Sequence, residues 1–314
     1  MDTKTLCNLV SIMKKKLIPT SKNKAFSQLT TLGVGGKIKL VIYPPTIRKF
    51  AFAVKTLKSL NLQYVILGKG SNILAADGDF DGVAVSTQKL NRVKIRGCNV
   101  TAYAGTSTIY LAKLLQQSGL GGGEFMACLP ASVGGATVCN AGCFSQDMRS
   151  VIKRVTVLYK GRICRLNAED CGFDKRTSIF KNSDKYAVLS VSFRFCKTTP
   201  CDIADKISDI KAKKFASQPL NYRSAGCVLY HDKVAVSRLI DEAGLKGYTV
   251  GGAKISEKHA GFVVNVDKAC SKDIYLIIRH IIQTLKFRYG VTAKVEVCLI
   301  NFTKDEQNDL FAGS

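Results

Sequence analysis

The chemistry this sequence can perform is concentrated first in its glycines. From Ala104 to Gly142 the chain reads AGTSTIYLAKLLQQSGLGGGEFMACLPASVGGATVCNAG. Gly105, Gly121, Gly122, Gly123, Pro130, Ala131, Ser132, Gly134, Gly135, Asn140, Ala141 and Gly142 leave much of it without bulky side chains. Glycine loses more conformational freedom on folding than any other residue, so such a run implies that backbone is needed at close quarters. Amides with no side chains in the way can converge on a diphosphate. Phe125, Met126, Leu129, Val133 and Val138 are spaced as buried anchors, which favours a cofactor-gripping loop over a mobile linker. A second tight turn, Gly68-Lys69-Gly70-Ser71-Asn72, follows the apolar run Val65-Ile66-Leu67. It is not a GxGxxG opening a helix, so a nicotinamide Rossmann fold is disfavoured.

Regular elements must hold these turns. A helix is expected over residues 4–16. A glycine turn at Gly33-Val34-Gly35-Gly36 precedes an alternating strand ended by Pro44-Pro45. Thr46 is placed to cap a helix to about Leu60, with Phe50, Val54 and Leu57 inward. A β-rich segment from Arg92 leads to a short amphipathic helix with Ile109, Leu111, Leu114 and Leu115 on its apolar side. Lys160-Gly161 reads as a hairpin turn. Helices follow from Asp202 to about Ser217, around Val236, Leu239 and Ile240, and from Lys272 to Tyr289 with Ser271 as cap. In the closing strand, alternation puts Val295, Val297 and Leu299 on one face and Glu296, Cys298 and Ile300 on the other. Residues 303–314 read as a polar tail.

The chain has 314 residues, enough for two or three domains, with 46% hydrophobic and 22% charged residues as in a globular protein. No apolar run approaches the roughly 18 residues that span a bilayer. The N-terminus lacks a signal-peptide pattern, so a cytoplasmic protein without a membrane partner is expected. The formal charge is +24. Its densest clusters, Lys14-Lys15-Lys16 and Lys211-Lys213-Lys214, carry no interleaved aromatics, so a solvated basic surface ranks first, a phosphorylated small substrate second and nucleic acid third. Twelve cysteines without a CxxC pair, and three histidines, argue against disulfides and against a metal site. Most of the cysteines are expected to act as small buried apolar residues.

LGKGSNIL, AGTSTIYLAKLL and LPASVGGATVCNAG, in this order, resemble the flavin-binding half of the UDP-N-acetylenolpyruvoylglucosamine reductase (MurB) family of bacterial cell-wall synthesis. The resemblance runs over about residues 25–302. It implies an α+β fold, a two-lobed FAD-binding domain of the vanillyl-alcohol-oxidase (PCMH) type followed by a smaller α+β substrate domain. The expected divisions are a lead-in at 1–24, the FAD domain at 25–198 with lobes about 25–83 and 84–198, the substrate domain at 199–302, and the tail. FAD is expected to bind non-covalently, its diphosphate on the loops 68–72 and 131–142. The cofactor residues implied are Gly68, Lys69, Gly70, Ser71, Asn72, Gly105, Pro130, Ala131, Ser132, Gly134, Gly135, Asn140, Ala141 and Gly142.

On the substrate side, Arg176 matches the family arginine that binds the substrate carboxylate, with Lys175 where a tyrosine is usual. An arginine fork pairs a carboxylate through two parallel hydrogen bonds, which lysine cannot do. QPLNYRSAGCVLYHD resembles the family run in which a serine, or in some members a cysteine, protonates the intermediate; Cys227 falls there. A thiol with a pKa near 8.5 is a far stronger acid than an alcohol. Glu296 matches the catalytic glutamate of the terminal strand. Arg223 replaces the usual proline, and Tyr230, His231 and Asp232 replace a lysine-asparagine-proline run. Tyr230, His231, Tyr248 and His259 are the expected substrate-binding residues. The short interval from Arg176 to Cys227 resembles the class without an extra tyrosine loop.

The activity implied is NADPH-driven, FAD-dependent reduction of UDP-N-acetylglucosamine enolpyruvate to UDP-N-acetylmuramate. NADPH reduces the flavin and leaves, and the substrate then takes hydride at its distal vinyl carbon. Arg176 and protonated Glu296 stabilise the enolate while Cys227 protonates the adjacent carbon. A monomer is expected, without nucleic acid as partner. The alternatives are a flavin oxidoreductase of this fold acting on another acid, motivated by residues 230–232, and a non-catalytic basic nucleotide-binding protein, motivated by the charge.

Overall fold

The computed structural model describes residues 1–181 and 183–311, so Asn182 and the last three residues of the expected tail lie outside it. The chain forms two compact units that interleave in sequence. One comprises 1–22, 39–69 and 81–214, the other 23–38, 70–80 and 215–314. The expected division was contiguous, at 198/199. Instead two short early segments belong with the C-terminal third, because each supplies structure that third cannot supply itself.

In the first unit, one sheet has the strand order Thr20–Ser21, Lys37–Ile42, Phe80–Ser86, Tyr64–Leu67. The last two pair in parallel. Helices Thr3–Lys15 and Ile47–Ser59 cover it through Leu9, Met13, Phe50, Val54 and Leu57, all buried against Leu40, Ile42, Val83 and Val85. Thr46 caps the second helix as expected, its hydroxyl accepting the Lys49 N–H at 3.2 Å. The other sheet is antiparallel, in the order Arg162–Asn167, Ile152–Tyr159, Tyr186–Arg194, Asn99–Tyr103, Val93–Arg96. Helix Thr108–Gln117 and helix Val133–Val138 share its core through Leu111, Leu115, Val133 and Ala136. Ile109, expected on the apolar side of its helix, is 44% exposed, because it lies in the first turn away from Leu111 and Leu115.

The second unit has a four-stranded sheet in the order Arg223–Cys227, Phe262–Asn265, Ala253–Ile255, Thr249–Val250. Its core is built on helix Ser271–Tyr289, with Ile274, Ile277, Ile278, Ile281 and Leu285 buried. Ser271 is that helix's first residue, not its cap. The carboxylate of Asp77 takes the Ser271 amide (2.8 and 2.9 Å) and hydroxyl (2.8 Å), a negative charge at the positive end of the helix. Ile73–Ala75 pairs in parallel with Cys298–Ile300. The expected tail contains a helix, Lys304–Phe311, because Leu310 is fully buried and Asp309 accepts from the Tyr275 hydroxyl at 2.6 Å.

Among the twelve free cysteines only Cys128 and Cys171 are buried; Cys7, Cys196, Cys201 and Cys270 are exposed and six are intermediate. Burial as small apolar groups therefore accounts for two. Burial pushes the Cys128 thiol up and the Cys171 thiol up to about 11, which keeps both protonated. Among the described residues no helix is long and apolar enough to cross a membrane, and no group of His, Cys, Asp and Glu could hold a metal ion.

Candidate active site

Three stretches of the first unit converge on the glycine-rich segment. A Cβ on Gly68 would lie 2.2 Å from Ser132 Oγ, and one on Gly105 would lie 1.7 Å from the Thr87 carbonyl oxygen. Neither place has room for a side chain. Ser107 and Ser132 form an isolated antiparallel bridge, and the exposed Lys69 ammonium donates to Ser107 Oγ at 3.1 Å. The Lys69 ammonium and the Ser107 hydroxyl thus meet beside backbone stripped of side chains, with the buried Ser132 across the bridge. That donor set suits a diphosphate.

The segment is less open than expected. Residues Val133–Val138 are helical, with Ser132 Oγ accepting the Gly135 N–H at 3.3 Å. The Val133 and Gly134 amides donate to the carbonyls of Thr106 and Ala104, both at 2.8 Å. Gly134 is small because a Cβ there would lie 2.8 Å from Ala104 Cβ; its close approach is to the strand end. Gly135 is the exposed member of the pair, Pro130 is exposed, and the Ala131 carbonyl accepts the Thr108 N–H at 3.1 Å. Asn140, buried and at φ 41°, gives both amide hydrogens away, to Asp147 Oδ2 and the Asp174 carbonyl, each at 3.0 Å. Its oxygen accepts the Arg149 N–H at 2.9 Å. This side chain pins the chain around Ala141 and Gly142 and has no hydrogen left for a cofactor.

Arg176 stands beside that pinned segment. It adopts φ 56°, a left-handed conformation costing an L residue roughly 1–2 kcal/mol. One guanidinium nitrogen donates to the Gly142 carbonyl at 3.2 Å, and Lys181 Nζ donates to the Arg176 carbonyl at 2.9 Å. Ser178 Oγ, donating to the Val138 carbonyl at 2.7 Å, fastens the same loop. The strain is held by these bonds, and it aims an arginine from a loop lying along the glycine segment.

In the second unit, Cys227 ends the strand Arg223–Cys227 after an irregularity at Gly226, where φ is 81°. Glu296 donates its N–H to the Val228 carbonyl at 2.8 Å, so the glutamate and the cysteine lie on adjacent chain segments. Asn72 fixes the glutamate from its other side. Its side chain donates to the Glu296 carbonyl at 3.2 Å, and its own carbonyl accepts the Cys298 N–H at 3.0 Å. Gly70, at φ 67°, turns the chain there, a Cβ on it falling 2.2 Å from the Leu29 carbonyl oxygen; Ser71 is half-buried.

His259 joins this group through Gly261. A Cβ on Gly261 would lie 3.1 Å from Cys227 Sγ, 3.2 Å from His259 Cε1 and 3.2 Å from Ser237 Cβ. The Gly261 N–H donates to His259 Nδ1 at 3.2 Å, which leaves the ring proton on Nε2. Burial holds His259 below 6.5, and its ring meets Phe262 edge-on at 4.9 Å.

The remaining expected substrate residues are ordered by different means. His231 Nδ1 accepts the N–H groups of Lys233 (3.1 Å) and Val234 (3.3 Å), which orders its ring. Lys294 binds Asp232 at 2.6 Å and lies over the Tyr230 ring at 5.9 Å. Tyr248, 39% exposed, stacks on His280 at 4.4 Å. Sequence reasoning missed Gly261, the Asn72 bond to Glu296 and the Lys69–Ser107 contact. Only Gly261, two residues from His259, carried a local signal.

Residues 38–167 match the family described as FAD binding domain, and residues 218–300 match UDP-N-acetylenolpyruvoylglucosamine reductase, C-terminal domain. The chain is 32% identical to the UDP-N-acetylenolpyruvoylglucosamine reductase of Clostridium tetani, over 95% of this chain and 97% of that protein. It is 35% identical to the enzyme of the same name from Clostridium novyi, over 93% and 95%. The crystal structure of the reductase (MurB) from Thermus caldophilus superposes with a TM-score of 0.76 at 26% identity, over 90% of this chain and 98% of that one.

Proposed function

Since the chain belongs to the UDP-N-acetylenolpyruvoylglucosamine reductase family, we propose that it reduces UDP-N-acetylglucosamine enolpyruvate to UDP-N-acetylmuramate, with FAD as cofactor and NADPH as reductant, in the cytoplasm. FAD, when bound, supplies the hydride. Lys69, Ser107 and Ser132, beside the bare backbone of Gly68 and Gly105, are the groups we assign to its diphosphate. Helix Val133–Val138 and the Asn140 pin support that cradle and do not themselves grip the anion.

The protein's part in the chemistry is charge and proton management. Addition of hydride to the distal vinyl carbon drives an electron pair toward the substrate carboxylate. Arg176 pairs with that carboxylate through its fork, and Glu296, protonated, donates to the developing negative charge. Cys227 passes its thiol proton to the adjacent carbon; solvent then reprotonates the thiolate. His259 presents an Nε2–H donor to the sugar-nucleotide, His231 lines its path with a ring ordered by the Lys233 and Val234 amides, and Tyr248 offers a ring already held by His280.

The observation that carries this reading is the packing of Cys227 Sγ against Gly261, one residue from the carbonyl that takes the Glu296 N–H. The test is Cys227→Ala. Flavin content and reduction by NADPH should stay near wild type, while reoxidation by the enolpyruvyl substrate slows by about 10²–10⁴-fold, the usual weight of general acid catalysis. Cys227→Ser should recover much of the loss. Equal slowing of both half-reactions, or of neither, would remove Cys227 from the proton-donor role.

A further inference from the structure

The reaction leaves the charge of the chain unused, and that charge is not evenly shared. The first unit holds 32 basic and 11 acidic residues, a net +21; the second holds 15 and 12, a net +3. Part of the excess is ordered on one face of the five-stranded antiparallel sheet. One row of cross-strand partners runs Asn167, Arg154, Ser192, Thr101, Lys94. A second row is Arg194, Asn99, Arg96, and a third is Arg165, Thr156, Ser190, Tyr103. The Thr101 and Ser192 hydroxyls, 3.1 Å apart, confirm the shared face. Lys94, Arg96, Arg154, Arg165 and Arg194 are exposed, and none of the three rows contains a carboxylate. Among the described residues no ion pair involves any of the five.

The opposite face of the same sheet buries Val100, Ala102, Val155, Val191 and Phe193 with Val133 and Ala136 of the glycine-rich helix. The basic face therefore points away from the elements that form the diphosphate cradle. Strands about 4.8 Å apart make it roughly 20 Å wide. Its cations are spread along and across the strands, with the Thr101 and Ser192 hydroxyls and the Asn99 and Asn167 amides between them; the third row closes the face, Ser190 being buried and Tyr103 packed against the core of the other sheet. A single nucleic-acid strand calls for a track with aromatic platforms, and here the only aromatic, Tyr103, is half-buried. A two-dimensional array of arginines without carboxylates matches a two-dimensional array of phosphates.

We propose that this sheet face adsorbs the protein reversibly onto the phosphate surface of an anionic lipid bilayer. Such peripheral contact needs no spanning helix. Each cation near an anionic surface contributes enough to change partitioning about five-fold, and the attraction is screened as the Debye length shortens.

The flavin-loaded protein is sedimented with vesicles of phosphatidylglycerol and phosphatidylcholine in equal parts, and with vesicles of phosphatidylcholine alone. Binding to the first only, weakened by added salt, is expected. Arg154→Thr/Arg194→Thr/Lys94→Thr should partition about a hundred-fold more weakly, with melting temperature and flavin content unchanged. The charge-matched Lys14→Gln/Lys15→Gln/Lys16→Gln variant should keep most of the binding. Absence of wild-type binding to the anionic vesicles overturns the proposal. So does equal loss in both triple variants, which would make net charge the cause, or binding of a duplex oligonucleotide without binding of vesicles.

Discussion

Gly261 offers the sharpest perturbation of the second unit. It is not among the glycines with positive φ, so alanine there introduces no backbone strain and its effect is steric alone. The new methyl would meet Cys227 Sγ at 3.1 Å and carbon atoms of His259 and Ser237 at 3.2 Å. Ordinary contacts are about 3.5–4.0 Å, so roughly half an ångström must be gained. The approach to the cysteine is the tightest of the three and sulfur is the largest of the atoms met, so Cys227 must shift most. Overpacking of this kind costs about 1–3 kcal/mol of stability. A misplacement of about 1 Å costs on the order of 10²-fold in rate, so half of that should slow proton delivery by about ten-fold. Stopped-flow measurement of Gly261→Ala should show the loss in substrate-driven reoxidation only. In a Cys227→Ser background the same alanine should cost less, because oxygen is smaller than sulfur. An unchanged reoxidation rate in a folded, flavin-bound Gly261→Ala protein would refute the placement of Cys227 at the reacting carbon.

Two further outcomes follow from the same geometry. Arg176→Gly relieves roughly 1–2 kcal/mol of left-handed strain but loses the bond to the Gly142 carbonyl (about 0.5–1.5 kcal/mol) and adds backbone entropy (about 0.5–1 kcal/mol), so stability should change by less than about 1 kcal/mol while substrate reduction is lost; thermal melting and turnover together check the separation of the two effects. Burial holds the folded-state pKa of His259 below its unfolded value of 6.5, so its contribution to stability is fully present above pH 6.5 and is lost as pH falls through the depressed value. Denaturant melts across that range should show wild-type stability falling with acid, and His259→Gln should flatten the slope.

Much of the cofactor side was legible in the sequence because it depends on local chemistry. A glycine run, a capping threonine and strand alternation are signals that neighbours in sequence interpret. What the glycines were for was less legible. Gly134 looked like an anion-facing position, yet its neighbour is Ala104, thirty residues earlier, and only the folded chain shows that contact. Asn140 resembled a cofactor ligand, and its polar atoms proved to be used by residues 7, 9 and 34 positions away. The tail was misread because its polarity hid Leu310, a fully buried side chain that joins the core of the second unit. Cys227 and Glu296 could be placed by resemblance, whereas the atoms that hold them, from Asn72 and Gly261, sit too far along the chain for any local pattern to connect.

The strand Ile73–Ala75 has its parallel partner at Cys298–Ile300. To a ribosome this is a waiting time. The 225 residues from Leu74 to Cys298 take roughly 10–45 s to synthesise, during which an apolar strand has emerged with no mate. Asp77 waits as well for the helix end it will cap. A nascent chain shorter than about 300 residues therefore cannot complete the second unit, however much of it has emerged. Quality control acting on an unpaired strand edge has its longest opportunity here, and a truncation near the C-terminus would expose a segment belonging to the first quarter of the sequence.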